Sequence, residues 1–335
     1  MKWIVYIFVI VFIYKPLPEP WAKPLQIMKF TLRQLEIFVA VANAGSVSRA
    51  AEQLSLSQSA ASTALGELER AYDQTLFDRV GRRLVLDDTG HWLLPRALEL
   101  LARAHELEGQ FGTDQSIGNL RLGASLTIGN YLATLLVADF LQQHPASRVQ
   151  LVVNNSASII EQVARYELDL GLIEGDMGHP DVMATPWLKD ELVVFAAPGH
   201  PLAGKKKVTL AQVLQENWIL REAGSGTRST FERALGARRS QLKVRLELEH
   251  TEAIKRAVEA GLGLSCISRL ALRDAFRRGS LVPIRLPELQ LQRQFYMVQQ
   301  KNKYLTSGIR SLMAHIQAGV AAAESTDDMP LPMVP

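Results

Sequence analysis

Three short helices joined by brief turns, within residues 31–72, limit the fold of this chain more than any other feature. Apolar residues at helical spacing predict a first helix that ends near Ala44. Ser46 and Ser57 stand where they can cap a second and a third helix. Alanines occupy the positions at which the last two helices would cross, and such small residues allow the close approach of a helix-turn-helix. The pattern predicts that motif.

The third helix carries a polar face opposite its apolar stripe. The face consists of short, uncharged hydrogen-bonding side chains, namely Gln58, Ser59, Ser62 and Thr63. Such groups suit contacts with base edges in the major groove, where glutamine pairs with adenine through two hydrogen bonds. The alternative is an ordinary solvated helix surface.

Two short extended pieces around Gly81, within residues 77–86, predict a β-hairpin after the third helix. Arg79, Arg82 and Arg83 cluster at its tip. A hairpin wing beside a recognition helix commonly contacts phosphate or reaches the minor groove. A solvated charged turn is the alternative, but the preceding helix-turn-helix favours phosphate contact.

A further apolar pattern at helical spacing begins at Asp87 or Thr89 and predicts a long helix that ends near Phe111. Pro95 lies inside this helix and is expected to bend it. The apolar face is too long for a small winged domain to cover, which favours packing against a second copy of the chain. Residues 112–118, GTDQSIG, are typical of a hinge.

From Leu120 onward, short apolar strands alternate with helical stretches. The first series has strands at 120–123, 149–153 and 170–173, with helices at 128–143 and 156–166. The second has strands at 192–196, 218–220, 244–248 and 264–267, with helices at 227–237 and 251–260, before a strand at 295–298 and a helix at 306–322. This alternation predicts βαβ units with parallel strands, in two tandem α/β subdomains that enclose a ligand cleft.

Polar residues follow the predicted strands at the edge where parallel sheets bind ligands. They are Ser125, Thr127, Asn154 and Asn155, joined by the glycine-rich turn with Gly224, Ser225, Thr227 and Arg228. Helix N–H groups, hydroxyls and one guanidinium together suit a small carboxylate or an inorganic oxyanion, sulfur oxyanions included. Helix capping by Thr227 and by Ser156 is the alternative role for those two side chains.

Residues 30–79 resemble the LysR-type transcriptional regulators. The resemblance lies in SRAAEQLSLSQSAAS (48–62), the pair Leu68-Glu69 and LFDR (76–79), and it extends to about Ala318. The segments 128–133, 170–175, 224–228 and 261–269 resemble the YeiE-type branch, and they add Glu174 and Ser265 to the expected effector-binding set. The resemblance also implies dimers that pair into tetramers on interrupted palindromes.

Carried over by position, Gln58, Ser59, Ser62 and Thr63 are the DNA-reading residues, with Ser46 and Ser57 at the helix starts. Ser59 stands where the family often has proline, and Thr63 where it often has arginine. These two departures from the family pattern leave the expected fold unchanged but affect the strength of the DNA contacts and the bases that are preferred.

The first 27 residues differ from the rest. An apolar run at 3–14 is too short to cross a bilayer and precedes a proline-rich stretch. A mis-assigned start with Met28 as the true first residue, a membrane-associating extension and a signal peptide all remain open. The single cysteine, Cys266, excludes an intrachain disulfide and fits a small buried hydrophobe better than a redox sensor.

The sequence therefore predicts a winged helix-turn-helix joined to a periplasmic-binding-protein-like effector module with two subdomains. The expected segments are an extension (1–27), the DNA-binding domain (28–88), a dimerisation helix with a hinge (89–117), the effector domain (118–318) and a disordered tail (319–335). The expected partners are promoter DNA, an anionic co-inducer and further copies of the chain, with RNA polymerase left open and no membrane. The chain is expected in the cytoplasm.

Neither a catalytic constellation nor metal-ligand spacing among the seven histidines is visible, so we expect no enzyme activity, cofactor or metal. A periplasmic solute-binding protein and an enzyme fused to a DNA-binding domain are the rivals. The helix-turn-helix argues against the first, and the missing constellation against the second.

Overall fold

The computed structural model describes residues 28–111, 118–175 and 178–329, and its first helix opens with a capping box. Thr31 donates its amide to the Gln34 side chain, and the Gln34 amide donates to Thr31 Oγ1. Gly45 ends the helix in the left-handed region at φ 60°, which a residue without Cβ adopts at no steric cost. The predictions for residues 1–27, and for all of the hinge except Gly118, lie outside the described residues.

The chain divides into two units, one up to His91 and one from Trp92. The first contains helices α1 (Leu32–Ala44), α2 (Val47–Gln53) and α3 (Gln58–Tyr72) and strands β1 (Phe77–Val80) and β2 (Arg83–Leu86). Phe38, Ala50 and Ala61 are completely buried. Because alanines fill the helix crossings, the three helices pack as the sequence predicts, and the antiparallel pairing of β1 with β2 confirms the hairpin.

Helix α4 (Asp88–Phe111) follows the hairpin and contains Pro95, as the sequence predicts. Ala97 and Leu101 are buried, whereas Trp92, Leu100 and Leu107 are exposed. Among the described residues, therefore, no segment covers these apolar side chains of the helix.

The second unit begins with the predicted parallel βαβαβ arrangement. Strand β3 (Asn119–Ser125) pairs in parallel with β4 (Arg148–Asn154) on one side and with β5 (Leu170–Glu174) on the other. Helix α7 (Ser156–Ala164) connects β4 to β5. We call this part the first subdomain, and all three of its parallel strands end at the same edge.

The helix between β3 and β4 differs from the prediction. It starts earlier, with α5 (Leu126–Ile128), then forms a π-helical turn at Gly129–Ala133 before α6 (Thr134–Gln143). Thr134 Oγ1 donates to the Gly129 carbonyl at 2.7 Å, so this side chain adds a hydrogen bond across the wider turn.

Two long strands connect the subdomains. Strands β6 (Val182–Ala196) and β11 (Gln292–Gln300) run antiparallel along one another, and the pairing skips Trp187, because Leu188 faces Phe295 and Pro186 faces Tyr296. Proline has no amide to donate to a ladder, so a bulge at this point costs little.

The second subdomain is only partly the parallel unit that the sequence predicts. Strand β7 (Asn217–Arg221) pairs in parallel with β8 (Lys243–Leu248), but β9 (Ser265–Ser268) and β10 (Val282–Ile284) pair antiparallel with β6. The prediction of a second all-parallel series is wrong because β6 is one 15-residue strand whose second half forms the centre of this sheet. The helices here are α8 (Leu210–Leu214), α9 (Gly226–Leu235), α10 (Thr251–Glu259) and α11 (Arg269–Arg278).

The end of the chain also differs from its prediction. After α12 (Ser307–Ala318), residues 319–329 are ordered and include a short 3₁₀ turn at Thr326–Asp328, although the sequence predicts a disordered tail from residue 319. The prediction fails because Thr326 is buried against Asp190 and because Ser325 forms a bridge with Lys189 of β6. The polar composition of this segment concealed those contacts.

Candidate functional sites

Helix α3 presents a polar surface opposite its buried stripe. Ser57 caps it by accepting the Ala60 amide at 3.2 Å. Ala61, Leu65 and Leu68 are buried, whereas the four predicted DNA-reading residues are all exposed: Gln58, Ser59, Ser62 and Thr63. The structure therefore brings the predicted set together on one accessible face.

The hairpin places its arginines on the surface. Gly81 takes φ 61° at the turn, and Arg79, Arg82 and Arg83 are exposed. Within the described part of the chain, none of these three guanidinium groups forms a salt bridge. The Leu84 amide donates to the Gly45 carbonyl, so the hairpin is held against the end of α1.

Ser46 differs from Ser57 in its local role. It occupies the cap position of α2 in extended conformation, but its side chain makes no capping hydrogen bond and is half-buried.

Glu174, at the end of β5, is the centre of the predicted effector site. Its side chain is almost completely buried and accepts hydrogen bonds from Ser125 Oγ at 3.1 Å and from Thr227 Oγ1 at 3.0 Å. Burial alone raises the pKa of Glu174, but the charges of Arg293 and Arg221 and hydrogen bonds from Thr127 and Thr227 lower it below the usual value. Glu174 is therefore ionised, and its carboxylate accepts the hydrogen bonds of the hydroxyl groups that were expected to bind the effector.

Arg293 of β11 links this carboxylate to both subdomains. Its Nη1 donates to Thr227 Oγ1 at 3.0 Å, its Nη2 lies 3.5 Å from Glu174 Oε2, and its Nε donates to Asp190 Oδ2 at 2.7 Å. The sequence analysis missed Arg293 and Asp190. The sequence offered no clear signal for either residue, since Asp190 stands between Lys189 and Glu191 and Arg293 stands between two glutamines.

The two subdomains also meet beside this cluster. The Ala157 amide, in the first subdomain, donates to the Gly224 carbonyl of the second at 3.2 Å. Asn155 caps α7 through the Ser158 amide, and Ser225 caps α9 through the Arg228 amide. The predicted capping roles at this edge therefore belong to Asn155 and Ser225 rather than to Ser156 and Thr227.

Arg228 does not join the predicted site. Its guanidinium donates to the carboxylates of Glu232 and Glu247 and to the Arg221 carbonyl. All of these acceptors lie in the second subdomain, so the guanidinium is already paired there, and a role of Arg228 as the positive charge of the cleft stays a prediction. Asn154 is exposed and donates no side-chain bond to the Glu174 cluster; its oxygen accepts the Asn155 amide.

Three buried donors in the second subdomain have no hydrogen-bond partner among the described residues. They are Arg221 Nη1, Thr251 Oγ1 and Ser265 Oγ. Thr251 begins α10, whose next residue, Glu252, accepts a 2.6 Å hydrogen bond from Tyr131 of the first subdomain.

Arg221 is a buried arginine at the end of β7. Its charge acts on Glu174, so it contributes a cationic group to this region. Its Nε and Nη2 donate to the Glu222 carboxylate at 2.8 and 2.9 Å, which fixes the plane of the guanidinium. Nη1 is the nitrogen that these two bonds leave available.

The described ranges also bear on metal binding, on thiol reactivity and on membrane insertion. They contain no group of three or more His, Cys, Asp or Glu side chains that could hold a metal ion. Burial raises the pKa of the Cys266 thiol, which suppresses the reactive thiolate. No helix in these ranges combines the length and the apolar character that crossing a bilayer requires.

A winged helix-turn-helix followed by an α/β module of two subdomains defines the class of effector-responsive transcriptional regulators. Residues 32–91 match the bacterial regulatory helix-turn-helix protein of the lysR family, and residues 113–321 match the LysR substrate binding domain. The chain belongs to the LysR family of transcriptional regulators. The proteins of this family are regulators and not enzymes.

Several relatives and solved structures are similar to this chain. The HTH-type transcriptional regulator YeiE of Escherichia coli K12 is 42% identical over 286 residues, which cover 85% of this chain and 97% of that protein. The transcriptional activator CmpR of Synechocystis is 32% identical, over 86% and 95%. The regulatory domain of Synechocystis CcmR in complex with 2-PG has a TM-score of 0.56 and 31% identity, over 60% and 96%. A full-length OxyR variant of Pseudomonas aeruginosa shares the fold, with a TM-score of 0.66 at 21% identity, over 86% and 95%.

Proposed function

We propose that this LysR-type regulator binds promoter DNA through α3 and the β1–β2 hairpin, and that a small anion in the cleft between its subdomains modulates the binding. The exposed polar face of α3 reads base edges through Gln58, Ser59, Ser62 and Thr63. Arg79, Arg82 and Arg83 neutralise backbone phosphates, which makes the affinity dependent on salt. Ser46 and Ser57 lie at helix starts, where free N–H groups suit further phosphate contacts.

The single observation that carries the effector proposal is the set of unpaired buried donors, Arg221 Nη1, Thr251 Oγ1 and Ser265 Oγ. A buried donor without a partner costs roughly 1–3 kcal/mol. An oxyanion accepts from hydroxyls and from guanidinium nitrogens, and its bond to a guanidinium nitrogen is charge-assisted. This pattern favours an anion over a neutral or cationic ligand.

The remaining predicted residues take different roles in this proposal. Ser125, Thr127 and Thr227 hold Glu174 and form the wall of the cleft with it. Since Glu174 repels a second anion, the charge of the ligand must face Arg221 instead. The edge where the subdomains close consists of Asn155, Gly224 and Ser225.

The ligand class is a small carboxylate or an inorganic oxyanion, sulfur oxyanions included. The CcmR domain is solved with 2-PG, at 31% identity, and this supports a small ligand for the same module here. The chain acts in the cytoplasm, where its DNA target is.

The exposed apolar residues of α4, Trp92, Leu100 and Leu107, are covered by a second copy of the chain. Two-fold symmetry of the dimer then requires two-fold symmetry in the operator, and paired dimers give tetramers on interrupted palindromes.

A mobility-shift titration of the full chain tests DNA binding on the duplex upstream of its own gene. We expect tight binding at low salt and clear weakening when Gln58 and Ser62 are both changed to alanine. Equal affinity of that variant and the parent, or no binding by the parent, would remove α3 from the proposal.

Isothermal titration with sulfate, thiosulfate, phosphate and short carboxylates tests the effector site. We expect Arg221→Met to lose the heat of binding of whichever anion binds the parent. The matched variant Arg228→Met should keep it, because Arg228 is occupied by Glu232 and Glu247. The reverse pattern would assign the site to Arg228.

A further inference from the structure

We call the segment Ser325–Met329 the C-terminal clasp. Several contacts bind it to strand β6 and helix α11. Thr326 Oγ1 donates to Asp190 Oδ1 at 2.8 Å, and its side chain is buried. Arg273 of α11 donates to the carbonyls of Thr326 and Met329. Arg269 lies 3.6 Å from the Asp327 carboxylate.

Asp190 is the group that receives the clasp. Its Oδ1 also accepts a 2.8 Å hydrogen bond from Ser268 Oγ, and its Oδ2 accepts the Nε of Arg293 at 2.7 Å. Because Asp190 is buried, these three donors supply the hydrogen bonds that its oxygens would otherwise form with water. Loss of one donor weakens the hydrogen bonds of the other two, because hydrogen bonds in a buried network strengthen one another.

Arg293, the third partner of Asp190, also contacts residues of the cleft. Arg293 donates to Thr227 of the second subdomain and faces Glu174 of the first. Movement of Thr227 away from Glu174 must therefore break contacts of Arg293 on one side. Asp190 holds the Nε of Arg293, while its Nη1 and Nη2 contact Thr227 and Glu174.

We infer that Thr326 is a positioning residue for the effector cleft. Thr326 acts through Asp190, which in turn orients Arg293. The C-terminal clasp thereby helps to hold the two subdomains closed against each other. The inference rests on the proposed function only in assigning this cleft to an effector. The contacts themselves predict a change in subdomain closure with neither DNA nor effector present.

The test is native-state hydrogen exchange of the full chain, with the Ala157 amide as reporter because it donates across the subdomain boundary to Gly224. We expect Thr326→Val to raise exchange at Ala157 about tenfold, while amides at the centre of β3, such as Leu122, remain as protected as in the parent. Thr326→Ser retains the hydroxyl and should restore the parental rate. Thr185→Val, a matched change at an exposed position of β6, should have no effect.

A second variant guards against misfolding of the first. Arg273→Met removes the bonds to the clasp carbonyls without touching Asp190, and we expect the same effect at Ala157 with smaller amplitude. Unchanged exchange at Ala157 in Thr326→Val, or an equal rise at Ala157 and Leu122, would overturn the inference, since the clasp would then be a structural cover only. Failure of anion binding in the Arg221 experiment would leave these exchange results intact and would instead remove the proposed function.

Discussion

Gly226 lies against the backbone of Glu174 so closely that a Cβ on Gly226 would stand 1.9 Å from the Glu174 carbonyl oxygen. The two residues belong to different subdomains. The absence of a side chain at one position of α9 is therefore what allows the ends of β5 and α9 to meet and Thr227 to reach the Glu174 carboxylate.

The first prediction concerns this close approach. We expect Gly226→Ala to lower the free energy of unfolding by about 1–3 kcal/mol, because backbone cannot yield as a flexible side chain does. Chemical denaturation measures the change. Gly199→Ala is the matched control, since a Cβ there meets nothing within 4 Å. Equal stability of the two variants would mean that the subdomains do not close as described.

The second prediction concerns acid stability. The pKa of Glu174 is lowered in the folded chain, so its ionised form stabilises the fold above the unfolded-state pKa of about 4.5, and this contribution is lost as the pH falls through the lower folded-state value. Glu174→Gln should therefore flatten the pH dependence of the unfolding free energy below about pH 4.5.

At neutral pH the same variant should lose about 3 kcal/mol, the lower end of the range for breaking a buried ion pair, because Asp190 still pairs with Arg293. Denaturation curves between pH 3 and 7 measure both effects. Glu167→Gln, at an exposed position, serves as control. Parallel curves for parent and Glu174→Gln would contradict the assignment of a lowered pKa.

The third prediction concerns the hairpin. We expect Arg82→Ala to reduce the slope of log affinity for DNA against log salt by about 1, with similar weakening on specific and unrelated sequences. Gln58→Ala should instead weaken binding about tenfold on the operator only. Mobility shifts over a salt series separate the two. Arg148→Ala, an exposed arginine of the second unit, should leave the slope unchanged.

The fourth prediction concerns Cys266. Its buried thiol with a raised pKa should react with a disulfide reagent such as dithionitrobenzoate far more slowly in the native chain than in denaturant. Release of thionitrobenzoate, followed by absorbance, measures both rates. Rapid modification of the native chain would restore the redox-sensor alternative.

The sequence predicted those parts of the molecule that depend on local patterns. Capping residues and small residues at helix crossings identified the helix-turn-helix, because Thr31, Ala50 and Ala61 act within a few turns of chain. The first parallel unit followed from alternation, because its strands are short and helices connect β3 to β4 and β4 to β5.

The errors lie where distant segments meet. The composition around Asp190 does not reveal that residues 268, 293 and 326 converge on it, so the C-terminal end was expected to be disordered. Arg228 was expected to bind the effector because it follows a glycine-rich turn, but its guanidinium donates to Glu232 and to Glu247, and Glu247 lies on a strand that is distant in the sequence. Periodicity also could not indicate that β6 continues through both sheets.

The bulge at Trp187 interrupts the ladder between β6 and β11 while the pairs on both sides of it remain intact. A two-stranded ribbon resists bending more than a single tether does, so the subdomains of this chain are joined by an element with its own stiffness. A bulge bends the strand that carries it, so the direction of this ribbon changes at Trp187. The relative orientation of the subdomains therefore depends on where along the ribbon that residue stands.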